Sequence, residues 1–571
     1  MEFGRLRAVT LVAIATAGSV LTTGTASSQA SSGPPMPPSI NLTDENHVDL
    51  LSGSTSFPIT LGSLGSGDLG ISLTVSYQDQ GDYGSINSHS NLQAFMIPDR
   101  NSPNYLYYYI GRNADVVYSA TQTGSANSSN GGTVVYNADG TQVLTDRNGT
   151  IMQMSATKVG TSLFATTVMY PTGKTLRYNG NVGGDYPSAW SVTQNNGLMA
   201  KRNINGDYVI INLAYEYCTP NPTVNCALAN PWPSAHEATS PPNNWSITDA
   251  SGGTYQIGMA SYANAIATYH DKQWAPGVTV TYDRCRRQSP VNCYFSGVAM
   301  YDRVISSAKN GVTWSFNYVT GLGPGGYLYQ TTSPFNRQMY GYAVSGSPGH
   351  PERYQDEYGK TIKYDNTENA RLTSITYPEG NSETYTYDAR GNLANVLRTP
   401  KSGSGLASTN IQASYDSSCG APAKCNKANF VVDANGFRTD FTYDVTTGLL
   451  LSESGPAVSS IRPVRRFHYV QRKAWYLNSL GAYAQDPQAI WLLDTEKTCR
   501  TGSTVGDACS IPSEEIVTAY DYGPDSGPNN LWTRGISVTA GGVSRRTCFG
   551  YDRLGNRISQ TSPRASLTAC P

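Results

Sequence analysis

The chain has 571 residues, with 40 Lys and Arg against 41 Asp and Glu, for a formal net charge of −1. That balance argues against nucleic acid as an obligate partner, because binding phosphates needs a basic face; the length allows a sizeable core and more than one domain. Charged residues make up only 14%, while 39 Tyr and 56 Gly stand out, which is the composition of half-buried strands joined by many short turns.

Residues 1–30 read as an export signal. Arg5 and Arg7 form a positive start, Ala8 to Leu21 is an apolar run too short to span a bilayer comfortably, and Ser28-Gln29-Ala30 offers a cleavage point, with Gly24-Thr25-Ala26 as a second. No later stretch is long and apolar enough to span a membrane, so the mature chain is expected to lack a transmembrane segment. Residues 31–40, rich in Pro and Ser, form a linker.

From residue 41 the pattern is that of hairpins. Gly70 to Tyr77 (GISLTVSY) alternates apolar and polar side chains, as a half-buried strand does. Thr133–Tyr136, Thr150–Met154, Thr175–Tyr178 and Tyr208–Ile211 are β-forming runs, each beside a Gly-containing turn such as Ala138-Asp139-Gly140 or Ile204-Asn205-Gly206. The proline-rich stretch Thr219–Trp245 is expected to break the rhythm as a long surface loop or an inter-domain excursion, and Gly321–Pro351 is a second expected break. Ser261–His270 is the one segment that could hold a short helix.

The ten cysteines lie in close sequence pairs: Cys218/Cys226, Cys285/Cys293, Cys419/Cys425, Cys499/Cys509 and Cys548/Cys570. Local disulfides in an oxidising compartment are the simplest reading, although sequence alone leaves the connectivity open. No Cys/His spacing suits zinc.

Tyr354 to Leu393 carries the clearest pattern. Tyr364-Asp365 and Tyr387-Asp388 are each followed by turn residues and an apolar run, and Tyr377-Pro378-Glu379-Gly380 supplies a turn between two alternating strands. Tyr551-Asp552-Arg553-Leu554-Gly555-Asn556 repeats Tyr387-Asp388-Ala389-Arg390-Gly391-Asn392 almost position for position, and Tyr443-Asp444 is a further Tyr-Asp step. In these motifs the chain resembles the RHS/YD-repeat family, and Val48-Asp49-Leu50 to Gly53 matches the family's opening more loosely.

The resemblance implies an all-β fold, a long antiparallel β-hairpin ribbon of RHS/YD type coiling into an open or partial shell. Residues 41–350 would be a degenerate hairpin region and residues 351–571 the RHS/YD-repeat region. Relatives often enclose a toxin and cleave themselves at an Asp-Pro-x-Gly-Leu segment. The nearest match here, Asp486-Pro487-Gln488-Ala489-Ile490, departs at Gly and Leu and lies inside the repeats, so no catalytic residue is carried over. Because a hairpin starts at Tyr551 with no polar cap after it, a further RHS segment or a toxin/effector chain is expected to complete the shell; a Cys548–Cys570 bond closing the end is the other reading.

The six His are scattered, no Gly-x-Ser-x-Gly elbow occurs, and Gly321 to Gly326 lacks a helix to cradle phosphate. No catalytic, cofactor or metal site is expected. In the repeat motif Tyr364, Asp365, Tyr387, Asp388, Gly391, Asn392, Tyr443, Asp444, Tyr551, Asp552, Gly555 and Asn556 are read as structural: Tyr packs on its neighbours and Asp caps the next turn. The expected function is that of an exported structural protein enclosing or contacting other proteins at the bacterial cell surface, in the periplasm or outside the cell. The alternatives are a carbohydrate-binding or adhesive protein that contacts surface glycans, and a hydrolase of unrecognised type.

Overall fold

The computed structural model describes residues 43–571 apart from stretches within 50–55, 81–84, 99–102, 181–188, 227–231, 241–243, 260–265, 272–277, 285–293, 300–303, 321–325, 334–337, 367–370 and 501–503 and some single residues and pairs. The export signal and the linker lie outside the described residues, and so do Cys285 and Cys293.

The first described strands form a three-stranded sheet, β1 (Ser56–Leu64), β2 (Ile71–Gln80) and β3 (Ser85–Ser90), paired in that order. Alternation decides which side faces inward: Ile71, Leu73 and Val75 are each at most 3% exposed, and the residues between them face out. A bulge between Thr60 and Gly62 lets both Leu61 and Leu64 reach the core. This sheet shares one apolar core with the strands Leu198–Arg202 and Asp207–Asn212, through Leu198, Met199, Tyr208 and Ile210.

Eight strands follow, β4 (Ala94–Pro98), β5 (Tyr105–Ile110), β6 (Asn113–Tyr118), β7 (Gly124–Asn127), β8 (Thr133–Tyr136), β9 (Gln142–Thr145), β10 (Ile151–Val159) and β11 (Ser162–Met169). Each pairs antiparallel with the next, β6 and the segment after β7 meeting through a bridge between Val117 and Ser128. β11 then shares its second edge. Leu163 and Phe164 pair with Met96 and Phe95 of β4, while Thr167 to Met169 pair with β12 (Thr175–Gly180). The eight strands therefore form a closed hydrogen-bonded circuit, and the rest of the ribbon leaves it at β12. Its interior, with Met96, Leu106, Val117, Val134, Leu144 and Met152, belongs to the same buried core.

From β12 onward the ribbon runs as an open path to Arg557–Gln560, each strand antiparallel to its neighbour. Two short hairpins stand off this path, Tyr294–Phe295 with Val298–Ala299 and Thr504–Val505 with Ala508–Cys509. Helix is confined, among the described residues, to Pro422–Cys425 and three single 3-10 turns. The fold is thus all-β and antiparallel, as the composition and hairpin grammar require.

Three local expectations are corrected. Ile266–Asp271 is a strand, because Ile266, Thr268, Tyr269 and His270 suit a pleated ladder better than a helix. Ser234–Ser240 and Asn244–Thr248 are strands inside the supposed loop 219–245, whose prolines fall before and between them. Gly326–Ser333, Gln338–Val344 and Ser347–Gln355 likewise carry the ladder through the second supposed break, so residue 350 falls within a strand.

Beyond residue 350 the burial changes character. The large shared core gives way to small clusters, such as Leu372, Ile375, Tyr385, Leu393 and Val396, and then Ala413, Ala428, Val431 and Phe441. Few residues there are buried, and most are half-buried or exposed. This is a wall one sheet thick, not a second globule.

Candidate functional site

The recurrent unit of the ribbon is a strand ending in Tyr, a bulge, and a tight turn opened by Asp or Asn. At Asp388 the Oδ1 atom accepts the backbone N–H of Arg390 (2.9 Å) and of Asn392 (2.8 Å). The backbone closes in parallel, Gly391 N–H donating to Asp388 O at 2.9 Å and Asp388 N–H to Asn392 O at 2.9 Å. Gly391 sits at φ +81°, where only glycine is unstrained, and a Cβ there would also strike the Arg371 guanidinium. Asn392 Nδ2 donates to the second carboxylate oxygen at 2.8 Å.

The turn at Asp552 repeats this arrangement. Leu554 N–H and Asn556 N–H donate to Asp552 Oδ1 at 2.9 and 2.8 Å, Asn556 Nδ2 donates to Oδ2 at 3.0 Å, and Gly555 has φ +83°. The same carboxylate or amide clasp occurs at Asp146, Asn203, Asp356, Asp433 and Asn478. Asp444 opens a loop one residue longer, accepting Thr446 N–H, Thr447 N–H and the Thr447 hydroxyl. The bonds from Thr447 hold its carboxyl below the usual aspartate range. Asp365 lies within a strand opposite Ser374, whose hydroxyl it accepts.

The tyrosines show a second regularity, which sequence spacing concealed. Tyr387, Tyr443, Tyr469, Tyr522 and Tyr551 each stand at a shift of strand register. Across those shifts they face Leu393, Leu450, Leu493, Thr533 and Arg557 respectively. A later tyrosine then donates its hydroxyl to the carbonyl of a facing residue at four of these five shifts. Tyr415 bonds Leu393 O (3.1 Å), Tyr469 bonds Leu450 O (2.9 Å), Tyr522 bonds Leu493 O (2.7 Å) and Tyr551 bonds Thr533 O (2.8 Å). Tyr387 starts the relay on Leu372 O at 2.8 Å, and Leu372 faces Asn366 across the bulge that follows Tyr364-Asp365. A bulge frees a carbonyl from the ladder, and the following tyrosine satisfies it. Burial raises the phenols, pushing Tyr364, Tyr443 and Tyr522 each up to about 12.

A third set of contacts ties distant parts of the chain. Asp486, of the Asp-Pro step, is fully buried; Arg177 holds it at 2.5 and 2.8 Å, Tyr476 OH donates to it at 2.6 Å and Gln488 N–H at 2.8 Å. Every strong bond of that carboxylate is taken by a structural partner, and it lies within the strand Tyr483–Cys499. The turn residue Arg147 reaches Asn392 Oδ1 at 2.5 Å, and Asn426 Nδ2 donates to Arg147 O at 2.5 Å. Backbone bonds Leu477 N–Leu213 O (2.9 Å), Trp491 N–Thr172 O (2.9 Å) and Gly65 N–Leu554 O (3.0 Å) complete the join. Sequence reading missed these partners, since nothing local to Arg147, Arg177 or Asn426 marks them.

The disulfides join Cys218 to Cys226, Cys419 to Cys425, Cys499 to Cys509 and Cys548 to Cys570. These are four of the five expected pairs. The fifth expected pair, Cys285 and Cys293, lies outside the described residues.

Among the described residues, two of the cavities are large. One, of about 600 Å³, is lined by Lys201, Asp207, Cys226, His236 and Asp249 among others. The second, of about 1100 Å³, lies where the turns at Asp146 and Pro171 face Ala423 and Lys427. Among the described residues no group of three or more His, Cys, Asp or Glu could hold a metal ion, and no helix is long and apolar enough to cross a membrane.

Comparison with known proteins adds the decisive observation for the repeat. The family model "RHS Repeat" matches residues 366–403, the span that holds the Tyr387–Asn392 unit. This segment is an RHS repeat. No protein of curated function matches the chain in sequence. Among solved structures, the chain is similar to TcdB2-TccC3 without its hypervariable C-terminal region, at 13% identity and a TM-score of 0.30, covering 87% of this chain and 26% of that one. It is similar also to TcdB2-TccC3-Cdc42 (10% identity, TM-score 0.27, 87% and 27% covered). A third match is the Tc holotoxin pore of Photorhabdus luminescens with a mutated TccC3 (10% identity, TM-score 0.29, 88% and 27% covered). The chain thus spans about a quarter of the length of these solved chains. Within the RHS repeat, Asp388, Gly391 and Asn392 build the turn, and Tyr387 carries the bond back to the preceding strand.

Proposed function

We propose that this RHS-repeat protein is a wall: an exported β-ribbon that forms part of a shell and encloses or contacts another protein chain. The observation that carries the reading is the tyrosine relay. It fastens successive bulges, which favour bending of a sheet, to the strand before each. A sheet built to curve, with both faces half-exposed, offers area and not a cleft. The role needs no catalytic constellation, and the partner this wall would fit is a toxin or effector chain, or a further RHS segment.

Electron cryomicroscopy of the secreted protein, co-produced with its neighbouring gene product, tests this. A curved or hollow wall that shields the second chain from protease supports it. A solid particle that leaves the second chain fully digestible overturns it. Amino-terminal sequencing of the exported protein tests the signal: the mature chain should start just after Ala30 or Ala26.

Surface glycans are the second reading. The observation that favours it is the exposed pair Tyr105 and Tyr118, whose rings lie 5.0 Å apart on adjacent strands and offer a stacking face for a sugar. A glycan array on folded protein, with a Tyr118→Ala control, decides it: binding abolished by the variant supports a glycan contact, and no binding removes it.

A further inference from the structure

Lys201 is the feature that the wall reading leaves unused. It lies on the strand Leu198–Arg202 and is only 2% exposed, yet among the described residues its ammonium meets no carboxylate. Its Nζ donates to Thr219 O at 3.0 Å and to Val224 O, and it approaches both sulfurs of one disulfide, Cys218 Sγ at 3.8 Å and Cys226 Sγ at 3.7 Å. A buried cation held by carbonyls and neutral sulfurs is poorly compensated. Burial accordingly pushes the Lys201 ammonium below its ordinary range.

Opening the disulfide changes that balance. A thiolate on either sulfur would supply the missing negative charge, and a neighbouring ammonium lowers a thiol's pKa. In thiol–disulfide exchange a lower leaving-group pKa means faster release. No other described disulfide accepts a hydrogen bond from a cationic side chain. Lys424, next to Cys425 in sequence, is engaged by Asp416 and Asn429.

Access is provided on one side. Cys218 is 2% exposed, whereas Cys226 is half-buried and lies on the wall of the 600 Å³ cavity. The titratable and charged groups of that cavity are Lys201, Asp207, Tyr208, His236 and Asp249, and the Tyr208 hydroxyl donates to Glu237 at 2.6 Å. Asp207 is held by Asn203 Nδ2 at 2.8 Å and by His236 Nδ1 at 2.7 Å, which leaves Lys201 facing the sulfurs.

We propose that Cys218–Cys226 is a thiol–disulfide exchange site whose substrate is a dithiol, attacked at Cys226 from the cavity with Lys201 stabilising the departing Cys218 thiolate. The incoming thiolate's electron pair forms a bond to Cys226 Sγ while the Cys218–Cys226 bond breaks and its pair passes to Cys218 Sγ. The second thiol of the dithiol then attacks the mixed disulfide and releases Cys226. The dithiol ends oxidised, the cysteine pair ends reduced, and the two thiol protons pass to the two cysteines. This site is independent of the wall reading and would stand without it.

The test treats the intact protein with graded dithiothreitol, quenches with iodoacetamide and reads each cysteine pair by peptide mass spectrometry. Cys218 and Cys226 should label about tenfold faster than the other pairs, following the dependence of exchange on leaving-group pKa. Lys201→Met should remove that lead, and Lys201→Arg should keep it. If Lys201→Met fails to fold, the order of opening in the natural protein decides, together with Lys201→Gln. Opening of Cys218–Cys226 no faster than Cys419–Cys425, or unchanged in a folded Lys201→Met or Lys201→Gln protein, overturns the proposal.

Discussion

A single carboxylate organises each repeat turn, so its removal has a defined cost. Asp388→Ala strips two backbone N–H groups and one side-chain amide of their acceptor, and should lower unfolding free energy by about 1–2 kcal/mol. Asp388→Asn should cost less, since an amide oxygen can still accept. Urea unfolding monitored by circular dichroism measures both, and an Ala variant as stable as the Asn variant would contradict the clasp. Asp486 is a harsher case, because it is fully buried against Arg177. Asp486→Ala should destabilise by about 3 kcal/mol, as breaking a buried pair leaves the partner cation uncompensated. The same variant should raise hydrogen exchange around Leu213 and Leu477, which are bonded across the same join; exchange unchanged there would separate Asp486 from the tie.

At the scale of strands and turns, the tyrosines predict how the ribbon responds to alkali. Tyr364, Tyr443 and Tyr522 are raised to about 12 by burial, above the ordinary phenol value of about 10. A raised folded pKa means the protonated phenol is favoured by folding. Its contribution is fully present below pH about 10 and is lost as pH rises towards about 12. The melting temperature should therefore be flat from neutrality to pH about 10 and fall across the next two pH units, in step with tyrosinate absorbance. Tyr551→Phe, which removes a bond to Thr533 O, should cost about 1 kcal/mol, and a melt identical to that of the natural chain would remove the relay's energetic role. Much of this scale was legible in sequence. Asp-x-x-Gly turns and alternating runs announce hairpins by local chemistry, and the RHS repeat is visible at Tyr387 to Asn392. The relay was not legible, because a tyrosine and its carbonyl lie fifteen to twenty-nine positions apart with no fixed spacing. The proline-rich stretch misled for a related reason: prolines that edge a strand and prolines that abolish one look the same until the pairing is known.

Across the whole molecule, two kinds of construction meet. The first part of the chain, with its closed circuit and shared core, is stabilised by burial. The later part is a thin wall held by bulge locks, clasps and a few ties to the first. Those ties could not be read from sequence, since Arg147 and Asn392 find each other across 245 residues. Separating the two kinds predicts stepwise unfolding. Hydrogen exchange should protect Met96, Leu106 and Met152 longest and open the wall strands first; a single cooperative transition with uniform protection would show that the ties dominate.

The direction of the relay has one more consequence. In all five locks the tyrosine comes later in the chain than the carbonyl it grips. A chain emerging from its amino terminus always has the acceptor in place before the donor arrives, so each lock can snap shut on strands already made and none has to wait. The ribbon is a ratchet, able to lengthen one lock at a time as it is synthesised.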